Sequence, residues 1–232
     1  MKVLIAAPLR QSVEIFKLYQ DSLDNLIIPE GVTVDKFFVV NDCPEVIPYI
    51  NGDYITFDTH DTYTKTEDDH IWTTNNLSKM HTLRNITVKR ALDGGYDYLF
   101  SVDTDLILQP ETLQTLLAAK KDIVSELFWT NGWCNAWMVD QATGMSKRWK
   151  EPGLYQVGMT GACMLVSRRV LEVCDYSPIP NIYKSLWGED RHFCIRAACH
   201  GFELWTDTHY PPEHLYTDKE LQDYLRRHSD AR

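Results

Sequence analysis

Two aspartates placed two positions apart follow an apolar segment near the middle of the 232-residue chain. The segment Leu99–Val102 runs directly into Asp103, Thr104 and Asp105. In an extended chain such side chains share one face, with Cα atoms about 6.5 Å apart. Ligands of open α/β sheets bind just beyond the carboxyl ends of strands, and two carboxylates there suit Mg²⁺ or Mn²⁺. The alternative interpretation is that they only cap the turn before Pro110.

A second acidic pair lies at the predicted start of a helix. Glu189 and Asp190 follow Trp187 and Gly188. Acidic side chains are common in a first helical turn because they bind free N–H groups and interact favourably with the helix dipole. A carboxylate in this place could also accept the proton of an attacking hydroxyl. The spacing alone leaves both interpretations open.

Two histidines, His209 and His214, follow the last predicted strand. Imidazole can bind ions such as Mn²⁺, although carboxylates suit them better, and taken alone these two residues indicate a surface pair in a loop. The sequence contains no P-loop and no Gly-rich dinucleotide motif. A strand-end metal site without a P-loop indicates a diphosphate held by metal rather than by a glycine-rich loop.

Short β-rich segments alternate with helical patterns along the chain, which is typical of a mostly parallel α/β sheet. The predicted strands are Lys2–Ala7, Val34–Val40, Tyr54–Phe57, Tyr96–Val102, Asp122–Phe128, Gly161–Val166 and Glu203–Thr206. The predicted helices are Gln11–Ile27, Leu77–Leu92 with Gly94–Gly95 as its C-terminal cap, a short one opened by Pro110, one from Ser167, one from Gly188 to Cys199, and one near Leu221–Leu225. No linker rich in Pro, Gly or Ser divides the chain, which predicts one domain.

Three tryptophans recur every four residues at Trp129, Trp133 and Trp137. On a helix this spacing would form one stripe facing the core, the usual place for large aromatic side chains. The intervening Asn131–Gly132 disfavours a regular helix. A loop that presents tryptophan to the face of a sugar is therefore the second hypothesis.

The composition limits the classes of partner. Lys plus Arg number 23 against 33 Asp plus Glu, a net charge of −10, which argues against a protein held mainly by nucleic-acid phosphates or anionic lipid. The apolar start Val3–Pro8 is too short for a signal-peptide core or a membrane span, so we expect a soluble, cytoplasmic protein. The six cysteines form no C-x-x-C pair and are predicted to be reduced and mostly buried.

In their order along about residues 1–216, these motifs resemble those of GT-A glycosyltransferases, closest to the family 2 type of bacteria and their phages. The matching segments are Val3–Pro8, Val39–Asp42, Leu83–Asn85, Tyr96–Asp105, Gly161–Leu165 with Arg168 and Arg169, Gly188–Asp190, and Asp207 followed by His214. The Q-x-x-R-W motif of processive family members is absent, which favours transfer of a single sugar over polymer synthesis.

The resemblance implies a GT-A fold, in which a Rossmann-like, mostly parallel central sheet is flanked by helices and joined by a smaller acceptor-side subregion. The single domain would span residues 1–232. About 1–107 would bind the nucleotide sugar, about 108–216 would form the acceptor side, and 217–232 would form a C-terminal helix.

The resemblance also implies roles on the donor side. The donor-binding residues would be Pro8, Asp42, Arg84, Asp103 and Thr104. Among them, Asp42 and Arg84 would hold the nucleotide base, and Asp103 would touch the ribose and the metal shell. The Mn²⁺ or Mg²⁺ ligands would be Asp103, Asp105 and His214, with His209 as a rival for the last position.

On the acceptor side, the resemblance implies that Asp190 removes the proton of the acceptor hydroxyl and that Glu189 orients an acceptor hydroxyl. Trp187 is the candidate for stacking on the acceptor. Attack on the face opposite the leaving group then gives inversion at the anomeric carbon.

The predicted function is metal-dependent transfer of one sugar from a nucleotide-diphosphate sugar to an acceptor hydroxyl, with a UDP-sugar favoured and a GDP-sugar as the other option. A retaining glycosyltransferase on the same fold, a sugar nucleotidyltransferase and a non-catalytic nucleotide-sugar-binding module are the alternatives. The acceptor would be a carbohydrate, a glycolipid or a protein. A DNA acceptor is less favoured because of the acidic balance, and the oligomeric state stays open.

Overall fold

The computed structural model describes residues 1–60, 64–65, 70–71, 74–139, 151–182, 186 and 188–229. The strands are β1 (Lys2–Leu9), β2 (Thr33–Val40), β3 (Asp53–Thr56), β4 (Thr64–Lys65), β5 (His70–Ile71), β6 (Tyr98–Ser101), β7 (Leu106–Ile107), β8 (Ile123–Glu126), β9 (Trp129–Thr130), β10 (Trp133–Cys134), β11 (Leu154–Val157), β12 (Met164–Ser167), β13 (Leu204–Asp207) and β14 (Glu213–His214). The helices are α1 (Val13–Asp24), α2 (Thr74–Asp93), α3 (Thr112–Ala118), α4 (Arg168–Leu171), α5 (Glu189–Cys199) and α6 (Asp218–Ser229), with a 3₁₀ helix at Pro44–Tyr49.

Eight of the strands form one central sheet in the order β11-β13-β8-β12-β6-β1-β2-β3. Strands β6, β1, β2 and β3 are parallel neighbours, as are β8 and β13. Strand β12 lies antiparallel between β6 and β8, and β11 is antiparallel to β13 at the edge. The predicted α/β class with a mostly parallel sheet is confirmed.

The first strand is buried on both faces because helices cover both sides of the sheet. Val3, Ile5 and Ala7 pack with α1, α3 and α6, whereas Leu4 and Ala6 pack with α2, α4 and α5. The strand continues through Pro8 to Leu9, beyond the predicted end at Ala7. This extension is possible because β6 pairs with β1 only as far as Ala6, so the missing N–H of Pro8 interrupts no ladder on that side.

Local capping sets two helix ends close to their predicted places. The Ser12 side chain accepts a hydrogen bond from the Ile15 N–H at 3.3 Å, which starts α1. Helix α2 ends before Gly94, and Gly95 has a φ of +67°, so the predicted glycine cap is confirmed. Helix α3, in contrast, begins at Thr112 with Glu111 as its N-cap, two residues later than the predicted start at Pro110.

The tryptophan segment is not a helix, so the first of the two interpretations, a core-facing helical stripe, is wrong. Strands β9 and β10 form an antiparallel hairpin, with Asn131 and Gly132 at its tip in the left-handed region (φ of 49° and 81°). Two positive φ values in a two-residue loop are typical of the tight turns that match strand twist. The Asn-Gly pair therefore outweighs the four-residue spacing of the tryptophans.

The cysteines are free thiols, and five are buried whereas Cys199 is exposed. Among the described residues, no helix is both long and apolar enough to cross a lipid bilayer.

Candidate active site

A cavity of about 500 Å³ opens at the carboxyl end of β1 and β6. Side chains from both halves of the chain line it. Eight of the predicted site residues are among them: Pro8, Arg84, Asp103, Thr104, Asp105, Glu189, Asp190 and His214. The fold thus brings the D-x-D segment, the start of α5 and the C-terminal histidine to one place, as ligand sites at strand ends require.

Asp42 is not among the residues that line the cavity. Its carboxylate accepts hydrogen bonds from the Thr59 and His60 N–H groups at 2.9 and 3.1 Å, and from the Thr59 hydroxyl at 2.6 Å. Burial opposes its charge, but these bonds hold the pKa of Asp42 below its ordinary value. Asn41 and Thr59 line the cavity in its place. The other predicted contact, Trp187, lies outside the described residues.

A buried guanidinium lies at the centre of the site. Arg84 on α2 is 1% exposed, and its Nη2 donates to Asp103 Oδ1 at 2.7 Å while Nη1 donates to Ser101 Oγ at 2.9 Å. Its Nε lies 3.6 Å from Glu189 Oε1 and 3.8 Å from Asp190 Oδ1. Three carboxylates thus surround the charge of Arg84. The role in base binding that the resemblance implies for Arg84 stays a prediction.

The acidic pair at the start of α5 has raised pKa values. Burial raises the pKa of Asp190 to about 7, the nearby Arg84 charge opposes the shift, and the Glu189 and Asp103 charges add to it. Burial also raises the pKa of Glu189, again against Arg84. A carboxylate that titrates near neutrality is suited to accept a proton during a reaction.

A glycine makes room for the Asp190 carboxylate. A Cβ atom on Gly161 would lie 2.3 Å from Asp190 Oδ2 and 2.8 Å from its Cβ. Asp190 Oδ2 also accepts a hydrogen bond from the Ala162 N–H at 3.2 Å, and Ala162 has a φ of 52°, an uncommon value for a residue with a side chain. The backbone before β12 is thus shaped around Asp190.

We expect Gly161→Ala to displace Asp190 and to lower turnover roughly 10²-fold, the effect of misplacing a reacting group by about 1 Å. Gly153→Ala is the matched control because the three atoms nearest to its added Cβ belong to the Tyr155 side chain, 3.2 to 3.4 Å away. Initial rates and the melting temperature are measured for both variants. Full activity in the Gly161 variant would show that the position of Asp190 does not matter.

His214 lies between an aspartate and a threonine. Its Nε2 is 3.4 Å from Asp105 Oδ2, and its Nδ1 is 2.9 Å from Thr130 Oγ1 in the tryptophan hairpin. Burial alone would lower the pKa of His214, but the charges of Asp105 and Asp103 raise it above its usual value. The hydroxyl of Thr130 can donate to or accept from Nδ1, so it fixes the ring while Nε2 faces Asp105.

Among the described residues, no group of three or more His, Cys, Asp and Glu side chains is arranged to hold a metal ion. Asp105 and His214 are adjacent donors, whereas Asp103 Oδ1 is bound to Arg84. Mg²⁺ and Mn²⁺ commonly take one or two carboxylates and complete their shell with water and ligand phosphates. The donor chemistry therefore fits a dication whose coordination is completed by a bound diphosphate. His209, the rival residue, pairs instead with Asp207 at 2.9 Å.

A second carboxylate pair is buried where β8 and β13 end. Glu126 and Asp207 are partners across the two parallel strands. Burial and the Asp207 charge raise the pKa of Glu126 to about 8. Its Oε1 accepts a hydrogen bond from the Tyr210 N–H at 3.0 Å, and its Oε2 has no hydrogen-bond partner among the described residues. Burial therefore favours the protonated form of Glu126 at neutral pH.

This burial makes the stability of the protein depend on pH. An unfolded Glu carboxyl titrates at its ordinary value of 4.5, so between pH 4.5 and about 8 the folded state binds more protons and stability falls as pH rises. We expect Glu126→Gln to be more stable than the natural chain at pH 8, by roughly 1–3 kcal/mol, and the difference to shrink towards pH 5. Urea denaturation across this range measures it.

The exposed Glu172→Gln substitution is the matched control and should leave the pH profile unchanged. Equal stability of the Glu126 variant and the natural chain at pH 8 would show that charging the buried Glu126 carboxyl costs no folding free energy.

An eight-stranded, mostly parallel sheet with flanking helices and a cavity at its carboxyl edge is a GT-A-like fold. Comparison with solved structures supports this fold. A CMP:2-keto-3-deoxy-manno-octonic acid synthetase complexed with CTP has a TM-score of 0.60 and 13% identity, with 100% of both chains covered. TarS residues 1–349 of S. aureus has a TM-score of 0.55 and 14% identity, with 98% of this chain and 64% of that chain covered.

A mannosyltransferase from Pyrobaculum calidifontis, in complex with GDP-Man and Mn²⁺, gives a TM-score of 0.55 and 11% identity, with 97% of this chain and 60% of that chain covered. This chain thus spans less than two thirds of the TarS and mannosyltransferase structures. No protein-family model matches the sequence, and no curated protein matches it.

Several residues that line the cavity were not identified from the sequence. They are Arg10, Lys79, Thr130, Asn135 and Arg191. Their local patterns resemble ordinary solvated or loop positions, and only the packing of distant segments brings them to the site. The Asn-Gly turn was the one available signal, because a hairpin prediction would have placed Thr130 and Asn135 together.

Proposed function

We propose that this protein is a metal-dependent glycosyltransferase that moves one sugar from a nucleotide-diphosphate sugar to an acceptor hydroxyl. The observation that carries the proposal is the group of three carboxylates, Asp103, Glu189 and Asp190, gathered around Arg84 at the wall of the cavity. The adjacent Asp105 and His214 supply donors for a dication in the same cavity.

Two of the solved neighbours hold ligands of the class proposed here for the donor. TarS has been solved in complex with UDP and with UDP-GlcNAc, and the mannosyltransferase with GDP-Man and Mn²⁺. A UDP-sugar is the favoured donor here, with a GDP-sugar as the other option. Similarity at this level shows the fold, so the substrates are proposed on the chemistry of the site.

The donor is proposed to lie along the carboxyl ends of β1 and β6. Pro8 and Thr104 line this side of the cavity, and Asp103 would contact the ribose. Asp42 would act on the nucleotide base indirectly. Its carboxylate holds the backbone of Thr59 and His60, and Thr59 lines the cavity. Asp105 and His214 would hold the Mn²⁺ or Mg²⁺ ion, which as a Lewis acid offsets the negative charge of the departing nucleoside diphosphate.

Asp190 is proposed as the general base. Its carboxylate takes the proton of the acceptor hydroxyl as that oxygen bonds to the anomeric carbon. The bond between that carbon and the diphosphate oxygen breaks, and its electron pair leaves with the nucleoside diphosphate. Attack from the opposite face inverts the configuration at the anomeric carbon.

Arg84 and Glu189 are proposed to support this base. The Arg84 charge lowers the pKa values of Asp190 and Glu189 against the effect of burial, so Arg84 is a positioning residue that favours the charged form of the base. Glu189 would orient an acceptor hydroxyl. The carboxylates and the guanidinium are fixed before substrate arrives, which lowers the cost of reorganisation in the transition state.

A thermal-shift panel of UDP-, GDP- and dTDP-sugars, with and without Mn²⁺, tests the proposal. A ligand that binds only the folded state raises the melting temperature, so one nucleotide sugar should stabilise the protein more in the presence of Mn²⁺. Asp105→Asn should lose this metal dependence, and the surface variant Asp93→Asn should keep it. No metal-dependent stabilisation by any of these sugars would overturn the assignment.

A sugar nucleotidyltransferase is the second candidate, because the synthetase covers the whole chain with a TM-score of 0.60. Against it, the connection between β1 and α1 contains only Arg10, Gln11 and Ser12 and has no glycine to surround a triphosphate. Release of pyrophosphate from CTP or UTP with a sugar phosphate would favour this candidate, whereas release of a nucleoside diphosphate favours sugar transfer. NMR of the anomeric configuration of the product separates the inverting from the retaining reaction.

A further inference from the structure

The tryptophan hairpin of β9 and β10 presents large aromatic surface to solvent. Trp133 is 53% exposed and Trp129 is 41% exposed. Cross-strand partners in an antiparallel pair lie on the same face. Trp133 pairs with Thr130, and Trp129 pairs with Cys134, so the two tryptophans lie on opposite faces of the hairpin.

Trp133 shares the face of the hairpin that carries the contact with His214. Its partner Thr130 lines the cavity and binds His214 Nδ1 at 2.9 Å. The Trp133 ring therefore lies on the same face as the residue that holds the proposed metal histidine. Trp129, on the other face, pairs with Cys134, which also lines the cavity, but Thr130 is the partner that binds His214.

The hairpin is fixed to the wall that carries the proposed base. Asn135, just after β10, accepts a hydrogen bond from the Phe128 N–H and donates to the carbonyl oxygens of Glu126 and Gly161, each at 3.0 Å. Gly161 is the residue whose missing Cβ leaves room for Asp190. The position of the hairpin is thus set by the same backbone that positions Asp190.

We propose that Trp133 is an acceptor subsite that binds the apolar C–H face of a carbohydrate ring. The inference rests on the proposed function and names its acceptor class. An exposed tryptophan offers a large rigid apolar face with a polar edge, which complements a pyranose ring with C–H groups on its faces and hydroxyls at its rim. The net charge of −10 and the carboxylates of the cavity oppose a polyanionic acceptor.

The test compares Trp133→Ala, Trp133→Phe and the matched control Trp129→Ala. Binding of methyl β-D-glucopyranoside, methyl α-D-mannopyranoside and chitobiose is followed by saturation-transfer NMR without donor. The acceptor KM and kcat are then measured for the saccharide that binds. We expect Trp133→Ala to weaken binding and raise KM about 10-fold, the loss of one aromatic contact worth about 1.4 kcal/mol. Trp133→Phe should recover part of the loss, and Trp129→Ala should not differ from the natural chain.

Donor binding separates this inference from the proposed function. Stabilisation by the nucleotide sugar with Mn²⁺ should be the same in all three variants. Equal saccharide binding by Trp133→Ala and the natural chain overturns the subsite, as does Trp133-dependent binding of a duplex oligonucleotide in place of the saccharides. Loss of donor stabilisation in the natural chain overturns the proposed function, while the saccharide measurements without donor still decide the subsite.

Discussion

Asp190→Asn is expected to lower turnover about 10²–10⁴-fold, the usual contribution of a general base, while donor binding stays intact. Asparagine has nearly the same shape, and its oxygen can still accept the hydrogen bond from the Ala162 N–H. It cannot take a proton from an acceptor hydroxyl. Initial rates and donor affinity by calorimetry measure the two effects separately.

The same residue sets the expected pH profile of the natural enzyme. Because burial raises the pKa of Asp190 to about 7, kcat/KM should rise as pH increases through that value, where the carboxylate becomes charged. Asp93→Asn, an exposed carboxyl on α2, is the control and should retain full activity. Unchanged turnover in Asp190→Asn would remove it from the reaction and favour a retaining mechanism.

Arg84→Met is expected to lower the free energy of unfolding by about 3–5 kcal/mol at pH 7, because removal of one partner leaves buried charges without compensation. Arg84 is surrounded by Asp103, Glu189 and Asp190, and its loss should raise the pKa values of the last two further. Protonation relieves the repulsion, so the loss of stability should become smaller as pH falls towards 5. Urea denaturation at several pH values measures this trend.

Arg90→Met is the matched control on the same helix. Arg90 forms an exposed ion pair with Asp53, and such pairs contribute about 0–1 kcal/mol. If Arg84→Met does not fold, Arg84→Lys retains the charge without the planar fork and should be intermediate in stability. A loss of stability in Arg84→Met no greater than in Arg90→Met would show that the buried carboxylates do not depend on this guanidinium.

Local patterns in the sequence were sufficient for much of the scaffold. The apolar run of β1 requires cover on both faces, and the glycines after α2 provide the left-handed cap that ends it. The prediction that Asp103 follows a buried strand holds because Leu99 and Phe100 are fully buried in β6. These features depend on residues that are close together in the chain, so they can be predicted from the sequence alone.

The sequence also determined the chemical types present in the site: carboxylates at a strand end, an acidic pair at a helix start and histidines after the last strand. Only the tertiary structure decided which of them meet. It placed His214 rather than His209 beside Asp105, and it brought Arg84 from a distant helix between carboxylates of two other segments. The physical reason is that the charge of a buried guanidinium is balanced by groups far apart in the chain, and no local propensity encodes that balance.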